Sequence, residues 1–153
     1  MALRIEVPAF PEGGDIPATY TCDGGNRSPE IRWNGEPKET ASFVLIVDDP
    51  DAPAGTWTHW IVYDIPRFVH KFPEGWRPDA SEAACAVNDF GRSGYGGPCP
   101  PKGHGPHRYY FRIYALDTDT LGLNDKPKRA DVDRALRTHI LEEAHFMGRY
   151  ERK

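Results

Sequence analysis

Cysteine is scarce in this sequence. There are three, Cys22, Cys85 and Cys99, with no CxxC spacing. That count excludes a framework of several disulfides and a structural zinc site built on cysteine pairs. The first reading is reduced packing cysteines, with a Cys22 to Cys99 contact or bridge left open because both lie in loops. Positive charge is not in excess either: 19 Lys and Arg stand against 23 Asp and Glu, a net charge of -4. Nucleic acid and anionic lipid are therefore not attracted globally, and any anion site has to be a local pocket. No apolar run approaches the roughly eighteen residues a membrane span needs. The start, MALRIEVPAF, has neither a basic n-region nor an apolar h-region. These absences predict a soluble cytoplasmic protein with no membrane span and no nucleic-acid partner. A GxSxG elbow, internal repeats and a domain linker are missing too, so residues 1–153 are read as a single domain.

Glycine and proline are what the chain does have, 15 of each. They punctuate short apolar runs, which favours a β-rich domain with elaborate loops. LRIEV and EIRW read as short strands. ASFVLIVDD reads as a buried strand, HWIVYDIP as another ended by Pro66, and HRYYFRIYALD as the last long one. From Arg129 to Met147, Val132, Leu136, Ile140, Ala144 and Met147 recur at helical spacing and Gly148 supplies a stop, predicting one amphipathic C-terminal helix.

Side chains alternate across a strand, so parity assigns faces. Phe43, Leu45 and Val47 share parity with Asp49; Ile61, Tyr63 and Ile65 with His59; Phe111 and Ile113 with His107 and Tyr109. Arg108, Tyr110 and Arg112 point the other way. If the apolar sets line one core, Asp49, His59, His107 and Tyr109 meet where three strands run into loops, at the mouth of a pocket. Its walls would be DDPDAPAGTWTHW and GYGGPCPPKGHGPHRY, with Trp57, Trp60, Tyr95 and Tyr109 as aromatic surface. The four prolines of the second loop fix φ and remove donors. The N–H groups that remain, at glycines and at Cys99, are then free to face an anion without loss of entropy on binding. Two imidazoles add donors whose charge follows the ligand, and Asp49 is suited to orienting one of them or to accepting from a ligand amine. A small phosphorylated ligand with a cationic end fits this inventory.

The motifs VDDPDAP, WTHW, GYGGPCPP and HRYYF, in this order, resemble the phosphatidylethanolamine-binding protein family, which includes the Raf kinase inhibitor protein. The likeness is to its small bacterial and archaeal branch. YTCDG, SPEIRW, YALD and HILEEAHFMGRY extend it over nearly the whole chain. The resemblance implies a mainly β fold, a two-sheet antiparallel Greek-key β-sandwich, to which the periodicity adds a C-terminal α-helix. It also implies a non-enzymatic binding protein without a cofactor. Its anion pocket would take phosphate, a carboxylate or a phospholipid head group, or a phosphorylated group on a partner, with kinase regulation and a homodimer as further implications. Carried over residue by residue, the ligand-binding set is Asp49, Asp51, Pro53, Trp57, His59, Gly97, Pro98, Cys99, His107 and Tyr109. The family pattern also makes Ala52-Pro53 a candidate cis bond. Two positions depart from it: Thr58 stands where eukaryotic members often have a second histidine, and Cys99 where they have glycine.

Other chemistries are weighed against this one. His104 and His107, with His59 and Asp49, have the residue types of a metal site but lack helical HxxH geometry. Asp48, Asp49 and Asp51 lack the calcium-loop register. A hydrolase or metal-dependent enzyme using the His and Asp residues is the alternative function, with Ser93 and Cys99 as the only obvious loop nucleophiles. His139 and His145 read as surface or packing residues of the C-terminal helix, and Lys126, Lys128 and Arg129 as a solvated helix entry.

Overall fold

Strand β3 (Ser42–Asp49) is buried along its entire length. An unbroken apolar run such as SFVLIV suits a strand covered on both faces, and both are covered here. β3 pairs antiparallel with β4 (Trp57–Pro66) on one side and β7 (His107–Leu116) on the other. Strands β6 (Ala84–Cys85) and β8 (Ile140–Tyr150) complete a five-stranded sheet in the order β6-β4-β3-β7-β8. A second sheet, β1-β2-β5, is formed by β1 (Arg4–Glu6), β2 (Ile31–Asn34) and β5 (Lys71–Phe72). This is a computed structural model, and it describes residues 2–79 and 82–153.

The two sheets pack as an antiparallel sandwich. Phe43, Leu45 and Val47 meet Ile5, Ile31 and Trp33 in the main core. On the opposite face Val44, Ile46 and Ile61 are covered by Val132 and Leu136 of helix α1 (Arg129–Leu136). No helix among the described residues is long and apolar enough to cross a membrane.

Three sequence expectations are corrected. The helix expected from Arg129 to Met147 ends at Leu136, and residues 140–150 form β8 along the whole of β7. Leu, Glu, Ala and Met are good helix formers, but β7 offers a long open edge, and pairing with it overrides local propensity. Phe146 then reaches the main core. Gly148 does not stop a helix. A Cβ there would lie 2.4 Å from Phe10 Cε2 and 2.7 Å from Ile16 Cγ1, so glycine is what lets β8 approach the N-terminal segment. His139 lies outside the helix and His145 sits on β8. Second, no peptide bond is cis among the described residues, so Ala52-Pro53 is trans. Third, Cys22 and Cys99 are joined as a disulfide and only Cys85 is free, so the reading of three reduced packing cysteines gives way to the bridge.

Candidate functional site

The C-terminal end of β3 lies beside the N-terminal ends of β4 and β7, because both pairs are antiparallel: Asp49 faces Trp57, and Asp48 faces Tyr110. A cavity of about 210 Å³ opens at this junction, with Asp49, His59, His107 and Tyr109 in its wall. Ala52, Pro53, Trp57, Phe90 and the Cys99-Pro100-Pro101 segment complete the lining among the described residues.

Parity alone does not bring His59 here. Ile61 and Tyr63, its parity mates, belong to the opposite core with Val132. Val47 pairs with Trp60 and Asp48 with Thr58, which leaves His59 as the extra residue of a β-bulge. A bulge turns two successive side chains to one face. Trp60 enters the main core and His59 reaches the cavity at its end. A second irregularity, between the Phe43–Ile65 and Leu45–Val62 pairs, includes Asp64 at φ 57° and returns Ile65 to the main core. In β7, where pairing with β3 is regular, the expected division holds: His107, Tyr109, Phe111 and Ile113 are buried while Arg108 is exposed.

Asp49 and His107 form a buried pair. His107 Nδ1–H donates to Asp49 Oδ2 at 2.7 Å, with only 2% and 4% of the two side chains exposed. Asp49 Oδ1 accepts the Asp51 N–H at 2.7 Å. With both oxygens engaged, Asp49 fixes the imidazole and the start of the DPDAP loop. His107 Nε2 lies 2.6 Å from Nδ1 of the exposed His104. His59 Nδ1–H donates to the Gly96 carbonyl at 2.7 Å, so Nε2 is the atom left for a ligand. Burial pushes the His59 pKa down, partly offset by the Gly96 carbonyl and the Asp49 charge, and the ring is neutral at rest. Edge contacts from Phe90 and Tyr109, both with centroids 5.3 Å away, hold it in place. The buried Tyr109 hydroxyl makes no hydrogen bond of good geometry among the described residues, although it is close enough to the Asp49 carboxylate to interact with it. Burial first, and then the Asp49 charge, raise its pKa well above that of an ordinary phenol, so it remains a donor.

The glycine-proline loop is more committed than its sequence suggests. Gly97 N–H donates to Asn26 Oδ1 at 2.8 Å, and a Cβ there would come within 2.3 Å of the Tyr20 carbonyl oxygen. The Pro98 carbonyl accepts the Cys22 N–H at 3.1 Å. Proline has no N–H at 98, 100 or 101, so the Cys99 N–H is the one backbone donor of residues 97–101 for which the described residues supply no partner. Cys99 is pinned by its disulfide and lines the cavity.

Of the ten residues singled out in the sequence, the structure gathers seven at the cavity: Asp49, Pro53, Trp57, His59, Cys99, His107 and Tyr109. Asp51, Gly97 and Pro98 do not line it. Asp51 takes three bonds from Arg108, through its backbone N–H and Nε at 2.9 Å and Nη2 at 2.8 Å, and these hold its carboxyl down to about 2. Trp60 and Tyr95 are not part of this wall. They pack edge to face at 5.4 Å, and the Tyr95 hydroxyl donates to the Tyr20 carbonyl. The sequence reading missed Phe90 and Asn88. Asn88 is buried and binds the carbonyls of His59 and Gly94 and the N–H groups of Phe90 and Arg92, shaping the loop that carries Phe90 to His59. The turn-forming NDFG stretch was the available signal. Among the described residues no group of three or more His, Cys, Asp or Glu is placed to hold a metal ion.

Comparison with known proteins gives one consistent result. The family model described as "Phosphatidylethanolamine-binding protein" matches residues 6–151. A "UPF0098 protein" of Aquifex aeolicus is 51% identical, covering 98% of this chain and 89% of the relative. The crystal structure of E. coli YbcL, described as a new member of the mammalian PEBP family, aligns with a TM-score of 0.92 and 34% identity over 100% of both chains. The PEBP homolog CT736 from Chlamydia trachomatis aligns with a TM-score of 0.91 and 38% identity, covering 99% of each chain.

Proposed function

Because the chain belongs to the phosphatidylethanolamine-binding protein family, we propose that it is a non-enzymatic binding protein whose cavity takes a phosphate or carboxylate group. That group belongs to a small ligand or phospholipid head group, or to a phosphorylated residue of a partner protein, a kinase among the candidates. The observation that carries this reading is the set of donors, on residues that line one cavity, without a well-formed hydrogen bond among the described residues: the Cys99 N–H, the Tyr109 hydroxyl and Nε2 of His59. An oxyanion that accepts from the first two and meets a protonated His59 satisfies all three. The hydrolase alternative is disfavoured by its nucleophiles. Cys99 is held in a disulfide, and Ser93 lines a different cavity.

Calorimetric titration of phosphate, phosphoethanolamine and phosphoserine into the wild type, His59→Ala and His107→Ala tests the reading. Binding to the wild type that weakens at least tenfold, about 1.4 kcal/mol, in both variants is the expected result. Absence of binding to the wild type overturns it, and tighter binding of phosphoethanolamine than of phosphate identifies an amine contact. A cytoplasmic location belongs to the same proposal, although an exposed disulfide is uncommon there. Alkylation of intact cells decides it, since trapped free thiols at Cys22 and Cys99 indicate a reducing compartment. A homodimer is tested by sedimentation.

A further inference from the structure

A second cavity, of about 660 Å³, lies between residues 25–28, 75–78 and 92–95 and strand β6. It shares no lining residue with the first. Among the described residues its charged lining is Arg27, Arg77 and Arg92, with no Asp or Glu, on a chain whose net charge is negative. Arg27 is steadied by Glu74 at 3.3 Å and by Thr19 Oγ1 at 3.1 Å. Arg77 and Arg92 make no ion pair among the described residues.

Beneath this rim lie Trp60, Trp76 and Tyr95. Trp76 is stacked on the buried Phe72 at 3.7 Å and 5°, tilted against Trp60 at 6.4 Å, and lines the cavity while only half-buried. Cys85 also lines the space, and burial raises its thiol to about 11, so the floor carries no thiolate. The walls are tied to the fold before any ligand arrives: Gly75 N–H donates to the Ser28 carbonyl and Asn88 Nδ2 to the Gly94 carbonyl, both at 2.8 Å.

We propose that this cavity is a second binding site, for a planar aromatic ring that carries a phosphate. The ring lies against Trp76, and the phosphate takes the forked donors of Arg77 and Arg92, with Arg27 at the rim. Guanidinium groups recognise phosphate through paired N–H donors, and an aromatic face adds stacking that inorganic phosphate lacks. The volume falls within the range of small-molecule sites. A nucleoside monophosphate and a phosphotyrosine side chain share this chemistry.

Phenyl phosphate is the probe. It is titrated calorimetrically into His59→Ala protein, which disables the first cavity, and into the same protein carrying Arg77→Gln and Arg92→Gln. Both arginines are exposed, and thermal unfolding verifies that the variants are folded. Binding to His59→Ala that weakens at least tenfold on the double arginine change supports the site, as does binding at least tenfold tighter than that of inorganic phosphate. Competition by adenosine monophosphate and by phosphotyrosine then separates the two sources, the tighter competitor naming the class. Binding lost in His59→Ala but present in the wild type assigns the ligand to the first cavity and overturns the proposal. So does binding unchanged by the arginine substitutions, or displacement by neither competitor.

Discussion

His59 is the residue whose protonation decides most at the first cavity. Its folded-state pKa lies below the ordinary value of about 6.5 because burial penalises the imidazolium. In the absence of anions the unfolded chain therefore binds the proton more readily. The stabilising contribution is fully present above about pH 6.5 and is lost as pH falls toward the folded-state value. Unfolding free energy measured in a non-binding buffer is expected to decline over that window in the wild type, and the decline is expected to be smaller in His59→Gln. An anion reverses the preference, since bound His59 gains from carrying a proton. Affinity for sulfate, which does not itself titrate there, is expected to strengthen as pH falls from neutrality, with proton uptake visible as a dependence of the calorimetric heat on buffer ionisation. Asp49 acts one step back: Asp49→Asn leaves the His107 ring without its charge partner and is expected to weaken anion binding several-fold while the fold is retained. Away from the cavity, Asp48 is buried and accepts from Arg112 Nε and Arg129 Nη1, each at 3.1 Å. Losing one of these charge-assisted bonds in Arg129→Met is expected to cost about 2 kcal/mol in chemical denaturation.

At the scale of the element, strand pairing decides what the sequence could and could not reveal. The buried run of β3 and the division of faces in β7 were legible because neither is bulged where the two strands pair. In β4 the same rule placed Ile61 and Tyr63 on the wrong face. Only the bulge at His59 reconciles their position with a histidine in the cavity, and strand parity alone does not reveal it. The sequence of strand β8 reads as helix because its apolar residues fit a helical period and its composition favours one. The deciding fact, an open β7 edge, is not local. Seven of the residues singled out in the sequence line the cavity, but which loop N–H groups are taken up depends on Asn26, distant in sequence. Gly148 offers a direct test of the strand account. Gly148→Ala presses a methyl against Phe10 and Ile16, and a loss of about 1–3 kcal/mol is expected. A helix-stop role predicts a much smaller change.

Across the whole molecule, the disulfide and the residues at and just past the end of β8 meet at Cys22 and Cys99, the second of which lines the first cavity. Tyr150 and Arg152 both bind Asp23, beside Cys22, and the Gly103 N–H donates to the Arg152 carbonyl. The Cys22–Cys99 bridge spans 77 residues, a long loop, and its reduction is expected to cost roughly 2–4 kcal/mol by restoring freedom to the unfolded chain. Reduction also frees the backbone at Cys99, so anion affinity is expected to fall under reductant and to recover on reoxidation, with Cys22→Ser/Cys99→Ser fixed at the weaker value.

The most direct measurement is amide NMR of isotope-labelled oxidised protein titrated with phosphate. The account predicts that the Cys99 N–H shows the largest downfield shift, with the Gly97 N–H, already bound to Asn26, moving little. A phosphate-dependent shift centred elsewhere, or a Cys99 amide unmoved at saturation, contradicts it.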